Sequence, residues 1–129
     1  MSDKDAQADD RSIPDATELW RRIPPWEWVP DDSMPNGWRP SSAAFENDEL
    51  SVVIAAECTG GVSTLLRNHE GFGVASFTVG QVRAHGWGIV RAPDDELPGH
   101  AHVLGKKSRG KRAALARSCR MIRDPNRDV

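Results

Sequence analysis

The sequence predicts one α+β domain, in which a small mixed or antiparallel sheet carries two or three packed helices. Short β-branched stretches are separated by clusters of turn-forming residues, which is typical of strands. Segments with helical spacing lie between these stretches, and the last of them is basic and amphipathic. Strands and helices that alternate in this way fit a sheet with helices packed on it. The composition, 38% hydrophobic and 28% charged, is ordinary for a globular protein.

The 129 residues are the length of one domain. Residues 1–16 are almost all polar, so we predict a disordered acidic tail that buries too little apolar surface to offset the entropy of ordering. A single domain is expected over residues 17–124, and a flexible C-terminus over residues 125–129. The sequence shows no secretory signal and no apolar run of about 18 residues, which predicts a cytoplasmic protein without a membrane segment. Cys58 and Cys119 fit no metal spacing and are interpreted as reduced thiols, with a pairing in the fold left open.

The first half of the chain is predicted to be mostly strand and loop. Three stretches alternate or are β-branched, as strands are: residues 19–23, 26–29 and 50–56. The first of these also follows a capping-box pattern, so one helical turn is an alternative there. Residues 30–40 hold several turn formers and are expected to be a loop, and residues 41–45 are expected to form one helical turn. Residues 62–68 have the spacing of a short helix.

The second half is predicted to alternate between strands and helices. The strand candidates are residues 74–77, 88–91 and 101–104. Thr78 is expected to cap a short helix over residues 78–85, which ends at Gly86. Ser108 is expected to cap a final helix that continues to about Arg123, because Pro125 prevents further extension.

The C-terminal segment carries the strongest charge signal. Residues 104–129 hold nine Lys and Arg against two Asp, a net charge of +7, whereas the rest of the chain carries −9. On a helix with about 100° per residue, Leu115, Cys119 and Ile122 share one buried stripe and the arginines fan over the remaining surface. The planar guanidinium group suits phosphate. The candidate anion-binding residues are Lys106, Lys107, Ser108, Arg109, Arg112 and Arg120. The alternative is a solvated face that the acidic tail partly neutralises.

The segment from Gly105 to Ser108 has the form of the last part of a phosphate-binding loop. The first glycine of that motif is missing, because position 100 is His, so a P-loop is rejected. A weaker site remains, in which Lys106, Ser108 and the first amides of the final helix hold one anion.

Two histidines and a polar turn supply candidates for catalysis. His100 and His102 are two residues apart on a predicted strand and therefore share a face, which suits an acid/base pair, two metal ligands, or histidines bonded to backbone or water. Arg39, followed by Ser41 and Ser42, is able to orient a phosphate or a carboxylate. Alternatively Arg39 pairs with an acidic loop and Ser41 caps a helical turn. The sequence offers no third metal ligand and no cofactor motif.

Several motifs together resemble a family of small uncharacterised bacterial proteins. The motifs are LWRRIPP at 19–25, RPSSAAF at 39–45, GFGVASFT at 71–78, GQVR at 80–83, VRAP at 90–93 and HAHVLGKKS at 100–108. The resemblance covers about residues 18–115. It implies a bacterial origin and a common fold, and it implies no reaction, because no activity is assigned to that family.

Two functional hypotheses of different classes follow. The first is an accessory or binding protein that contacts an anionic partner, which is a nucleic acid, a nucleotide or an acidic protein, through the basic C-terminal helix. The second is a small enzyme acting on a nucleotide or phosphorylated substrate. In that enzyme Arg39 and Lys106 hold anionic groups, His100 is the acid or base, and Ser41 or Ser42 positions the substrate.

Overall fold

A computed structural model describes residues 8–126 of the chain. Within that range it contains eight strands and three α-helices, which confirms the predicted α+β class. The strands are β1 Glu18–Ile23, β2 Trp28–Pro30, β3 Trp38–Pro40, β4 Glu49–Ile54, β5 Gly73–Thr78, β6 Gly88–Arg91, β7 His100–Leu104 and β8 Arg120–Arg123. The helices are α1 Val62–Leu65, α2 Val79–Ala84 and α3 Arg109–Ser118.

Six strands form the main sheet in the order β6-β7-β4-β1-β5-β8, and each pairs antiparallel with its neighbours. The first strand is therefore central, with β4 on one side and β5 on the other. Leu19 and Ile23 of β1 are fully buried, as the period of two along a strand requires. This confirms the strand and excludes the helical turn that was its alternative.

The two sides of the sheet are covered unequally. One side, here called the core face, packs against α2 and α3 through residues that include Val82, Leu115 and Phe45. The other side, here called the cleft face, carries a smaller cluster around Val53 and Val74. Because α1 and the loops beside it cover only part of the cleft face, polar residues of the strands line the rest of it.

The final helix is shorter than predicted. Ser108 caps it, but α3 ends at Ser118, and residues 120–123 form β8 on the edge of the sheet beside β5. Leu115 and Cys119 are buried as expected, whereas Ile122 is 39% exposed and lies outside the predicted stripe. These residues form a strand instead of a further helical turn because the strand pairs with the free edge of β5 and allows Met121 to pack on the core.

The described part of the predicted tail, residues 8–16, packs against the domain. Ile13 is only 2% exposed, and the Asp10 amide donates to the Ile89 carbonyl of β6 at 2.7 Å. The Asp9 carboxylate accepts from the Arg83 guanidinium of α2 at 3.0 Å. This differs from the disordered tail expected over residues 1–16, because α2 and the β6 edge supply partners that the sequence does not show. Residues 1–7 lie outside the described range.

The chain after β8 also makes contacts where the sequence predicted a flexible C-terminus at 125–129. Pro125 is buried, and the Asn126 amide donates to the Gly71 carbonyl at 2.8 Å. Residues 127–129 fall outside the described range.

A second sheet of two strands, β2 and β3, occupies part of the region predicted as strand and loop. The indole rings of Trp28 and Trp38 stack with centroids 6.3 Å apart, so cross-strand aromatic packing holds this sheet together. Residues 42–45 form the expected helical turn, which is a 3-10 turn.

The two cysteines are free and buried, so the pairing between them that the sequence left open is not formed. Burial raises the pKa of the Cys119 thiol to about 12, so this sulfur stays protonated at neutral pH. Between residues 8 and 126, no helix has both the length and the apolar character needed to cross a bilayer.

Candidate functional site

Four exposed cations on and beside α3 form what is here called the basic surface: Lys106, Arg109, Lys111 and Arg117. Ser108 caps the helix, and its hydroxyl accepts from the Lys111 amide at 3.4 Å. None of the four makes an ion pair with an acidic residue between positions 8 and 126, and Lys111 Nζ donates to a carbonyl, that of His85. The charge of these side chains is therefore not neutralised within the described part of the fold.

Lys107 does not belong to this surface, which corrects its prediction as an anion ligand. It is only 5% exposed, and its ammonium donates to the carbonyls of Val103 and Gly105 at 2.9 and 2.8 Å and to that of Asp48 at 3.1 Å. The Trp87 ring lies 5.2 Å from the same nitrogen. Burial lowers the pKa of Lys107 to about 8. All three of these hydrogen bonds join the ammonium group to backbone oxygens of the fold, so it is not available to an external anion.

Arg112 and Arg120 also differ from the predicted open helical face. Arg112 is half-buried and donates to the Glu46 carboxylate at 3.4 Å. Arg120 lies on β8, opposite Ser76, and so on the other side of the sheet from α3. Its guanidinium is 3.8 Å from Glu18, whose pKa is held below its usual range by a hydrogen bond from Ser76.

Arg39 and Ser41 occupy structural positions. Arg39 donates to the Asp31 carboxylate at 2.8 Å and to the Pro40 carbonyl at 2.9 Å, which is the pairing with an acidic loop that the sequence left open. Ser41 precedes the 3-10 turn, but its hydroxyl makes no capping bond. The Ser41 amide instead donates to the Glu27 carbonyl.

The structure does not bring the three residues of the predicted enzyme site together. His100 begins β7, whereas Lys106 follows the end of that strand, so the two are separated by the strand's length of about 13 Å. Arg39 belongs to the small sheet and already has partners. A single phosphorylated substrate held by all three side chains finds no support in this arrangement.

His100 has a different partner, which the sequence analysis missed. Its Nε2 lies 2.5 Å from the Ser51 hydroxyl, and its Nδ1 lies 2.7 Å from the Ala92 carbonyl oxygen. Ser51 stands on β4 opposite His102, whose ring centroid is 5.0 Å from that of His100. The only signal in the sequence was a hydroxyl within an apolar, β-branched run, and the partner is 49 residues away.

A cleft of about 400 Å³ opens on the cleft face, between the segment after α1 and the loop before β7. Its charged and polar lining includes Arg22, Arg67, His69, Asp94 and Glu96, with Leu97 at its apolar end. The Arg22 guanidinium donates to the Leu65 carbonyl at 3.2 Å, and burial lowers its pKa. No set of three or more His, Cys, Asp or Glu between residues 8 and 126 is arranged to hold a metal ion.

The chain matches no protein-family model, no curated protein and no solved structure. The resemblance to small bacterial proteins therefore stays a prediction.

Proposed function

We propose that this protein is a binding module that contacts the phosphate backbone of a nucleic acid through the basic surface. The observation that carries the proposal is that Lys106, Arg109, Lys111 and Arg117 are exposed and have no acidic partner among residues 8–126. Cations that the fold does not neutralise are available to phosphate groups, and binding of this kind releases condensed counterions from the nucleic acid.

The spacing of the arginines favours a polyanion over a single nucleotide. Arg109 and Arg117 are eight residues apart on one helix, which corresponds to about 12 Å along its axis. One phosphate group is too small to engage both side chains, whereas a strand with repeated phosphates reaches both. Each guanidinium is also able to donate two parallel hydrogen bonds to a phosphate.

The distribution of charge along the chain is consistent with binding of a polyanion at α3. The last 26 residues carry +7 and the preceding residues −9, so the positive charge of the chain is concentrated in the segment that contains α3. Lys107 and Arg112 are engaged inside the fold and are left out of the interface.

Fluorescence anisotropy with labelled duplex DNA and single-stranded RNA at low salt tests the proposal. The double variant Arg109→Gln, Arg117→Gln is expected to weaken binding by at least about tenfold, because two phosphate contacts are lost. The matched variant Arg109→Lys, Arg117→Lys keeps the charge and is expected to retain most of the affinity.

A second control removes a positive charge elsewhere. Arg11 is exposed and pairs with Asp9 near β6, so Arg11→Gln is expected to bind like the wild type. The proposal is overturned if DNA, RNA and polyphosphate all fail to bind at low salt, or if the two double variants bind equally well.

A further inference from the structure

We propose that Ser51 is a nucleophile activated by His100, and that the cleft on the same face of the sheet binds a small, charged ester whose acyl group is transferred to Ser51. The proposal concerns the cleft face, on the other side of the sheet from α3, and it stands whether or not the basic surface binds nucleic acid. It is carried by the juxtaposition of Ser51, His100 and the Ala92 carbonyl.

The hydrogen bonds fix the tautomer of His100. A carbonyl oxygen only accepts, so at 2.7 Å the Nδ1 atom must carry the proton that it donates to Ala92. In the neutral ring Nε2 is then an acceptor, and the Ser51 hydroxyl at 2.5 Å donates to it. A hydroxyl that donates to an oriented imidazole is the arrangement that activates serine for nucleophilic attack.

Rigid elements hold the pair in place. Ser51 belongs to β4 and His100 to β7, and in the pairing of these strands Ser51 stands opposite His102 and His100 opposite Val53, so the two residues are diagonal neighbours. Both side chains are half-buried, so water competes less strongly for their hydrogen bond. The Ala92 carbonyl keeps the imidazole in the tautomer that a general base needs, which is the orienting role of the third group in a serine triad.

The cleft opens on the same face of the sheet as this pair, and its lining includes residues close to Ser51 and His100 but neither of the two themselves. Leu97 lines the cleft, and its carbonyl accepts from the His100 amide at 3.2 Å. Arg22 also lines the cleft. Trp20 stands opposite Val53 in the pairing of β1 with β4, and alternation along each strand then places Arg22 and Ser51 on the cleft face. The volume of about 400 Å³ suits a small molecule. Because the lining carries both charges, we infer a small ester with charged groups.

The chemistry balances with an ester and water as the reactants. The Ser51 oxygen forms a bond to the acyl carbon, and its proton moves to His100 Nε2. The bond to the leaving oxygen then breaks, and that oxygen takes the proton and departs as an alcohol. Water then attacks the acyl carbon and gives a proton to Nε2. The bond between the acyl carbon and the Ser51 oxygen breaks, the Ser51 oxygen takes the proton from Nε2, and the carboxylic acid is released.

Labelling with diisopropyl fluorophosphate tests this inference without altering the fold. The Ser51 oxygen displaces fluoride from phosphorus and becomes phosphorylated. Peptide mapping by mass spectrometry measures the rate of this labelling at Ser51 and at the exposed Ser63 of the same molecule. Ser51 is expected to react about 100-fold faster, which is the contribution of a general base. Equal labelling of the two serines, or no label on Ser51, overturns the proposal.

The variant His100→Gln shows whether Ser51 reacts because His100 activates it or only because its hydroxyl is accessible to the reagent. It is expected to slow labelling of Ser51 by about 100-fold and to leave Ser63 unaffected, because the base is lost. Ser63→Ala serves as the matched control and is expected to label at Ser51 like the wild type. If His100→Gln labels Ser51 at the wild-type rate, His100 is not its base.

Discussion

Lys107 belongs to the basic C-terminal segment of the sequence, but its side chain lies in the interior of the fold. Its ammonium is surrounded by three carbonyl oxygens and faces the Trp87 ring. A buried cation of this kind is retained only where such partners offset the loss of hydration. Here the carbonyl oxygens offset only part of that loss, since burial still lowers the pKa of Lys107 to about 8. The residue lies inside the junction between β7 and α3 and contributes nothing to binding of an external anion.

The pH dependence of stability tests the burial of Lys107. Its pKa is about 8 in the folded chain and 10.5 when unfolded, so the unfolded state binds more protons between these values. The free energy of unfolding of the wild type, relative to Lys107→Met, should therefore rise from pH 8 to pH 10.5. The rise is at most about 3 kcal/mol, since one pKa unit corresponds to about 1.4 kcal/mol. Urea denaturation of both proteins at the two pH values measures it, and parallel pH profiles would contradict the burial.

At this scale the sequence identified the charged residues but not their surroundings. Lys106 and Lys107 are identical neighbours in the sequence, yet one is exposed and the other is in the interior. The difference arises because Asp48, which is 59 residues away, contributes a carbonyl to Lys107. The contact between Ser51 and His100 was not predictable for the same reason, because the two residues are far apart in the sequence and meet only through the pairing of β4 with β7.

At the scale of elements, local signals predicted well. The N-terminus of α2 forms the full capping box that the sequence suggested only in part: the Gln81 amide donates to the Thr78 hydroxyl at 3.1 Å, and the Thr78 amide donates to the Gln81 side chain at 2.9 Å. Such bonds satisfy amides that the first turn of a helix leaves without partners.

The variant Thr78→Ala is expected to lower the free energy of unfolding by about 1 kcal/mol, because the cap is lost. Thr78→Ser keeps the hydroxyl and is expected to differ from the wild type by only a few tenths of that amount. Denaturant titration of the three proteins provides the comparison. Equal stability of the Ala and Ser variants would show that the cap is not energetically important.

The C-terminal element was the least predictable. Helical spacing of Leu115, Cys119 and Ile122 extended the predicted helix over residues that form β8. Arg120–Arg123 also alternates like a strand, and the choice between the two is made by the free edge of β5. No local pattern reveals that edge, because β5 lies more than 40 residues earlier in the chain.

At the scale of the whole molecule, the N-terminal segment is clamped to the body. Arg83 of α2 binds Asp9 at 3.0 Å and Asp15 at 2.6 Å, and the Ile89 amide donates to Asp9 at 3.1 Å. Burial alone would raise the pKa of Asp9, but these hydrogen bonds and the Arg83 charge outweigh it and lower the pKa. The stability that the clamp contributes is therefore fully present above the ordinary pKa of Asp and is lost as the pH falls through the lowered pKa of Asp9.

Two glycine variants test this clamp. A Cβ at Gly88 would overlap the Ala8 carbonyl, whereas a Cβ at Gly110 on α3 meets nothing within 4 Å. Gly88→Ala is expected to displace the segment and to accelerate hydrogen exchange of the Asp10 amide. Gly110→Ala is expected to leave that exchange unchanged and to raise stability by up to about 1 kcal/mol. Unchanged protection of Asp10 in Gly88→Ala would contradict the described packing.

The most direct test of the proposed interface is the salt dependence of nucleic-acid binding. Each neutralised phosphate contributes a slope of about −0.9 to the logarithm of the association constant against the logarithm of salt concentration. Four cations on the basic surface therefore lead us to expect a slope of about −3 to −4, and of about −2 in the variant Arg109→Gln, Arg117→Gln. A slope near zero, or the same slope in both proteins, would contradict the assignment of this surface to phosphate binding.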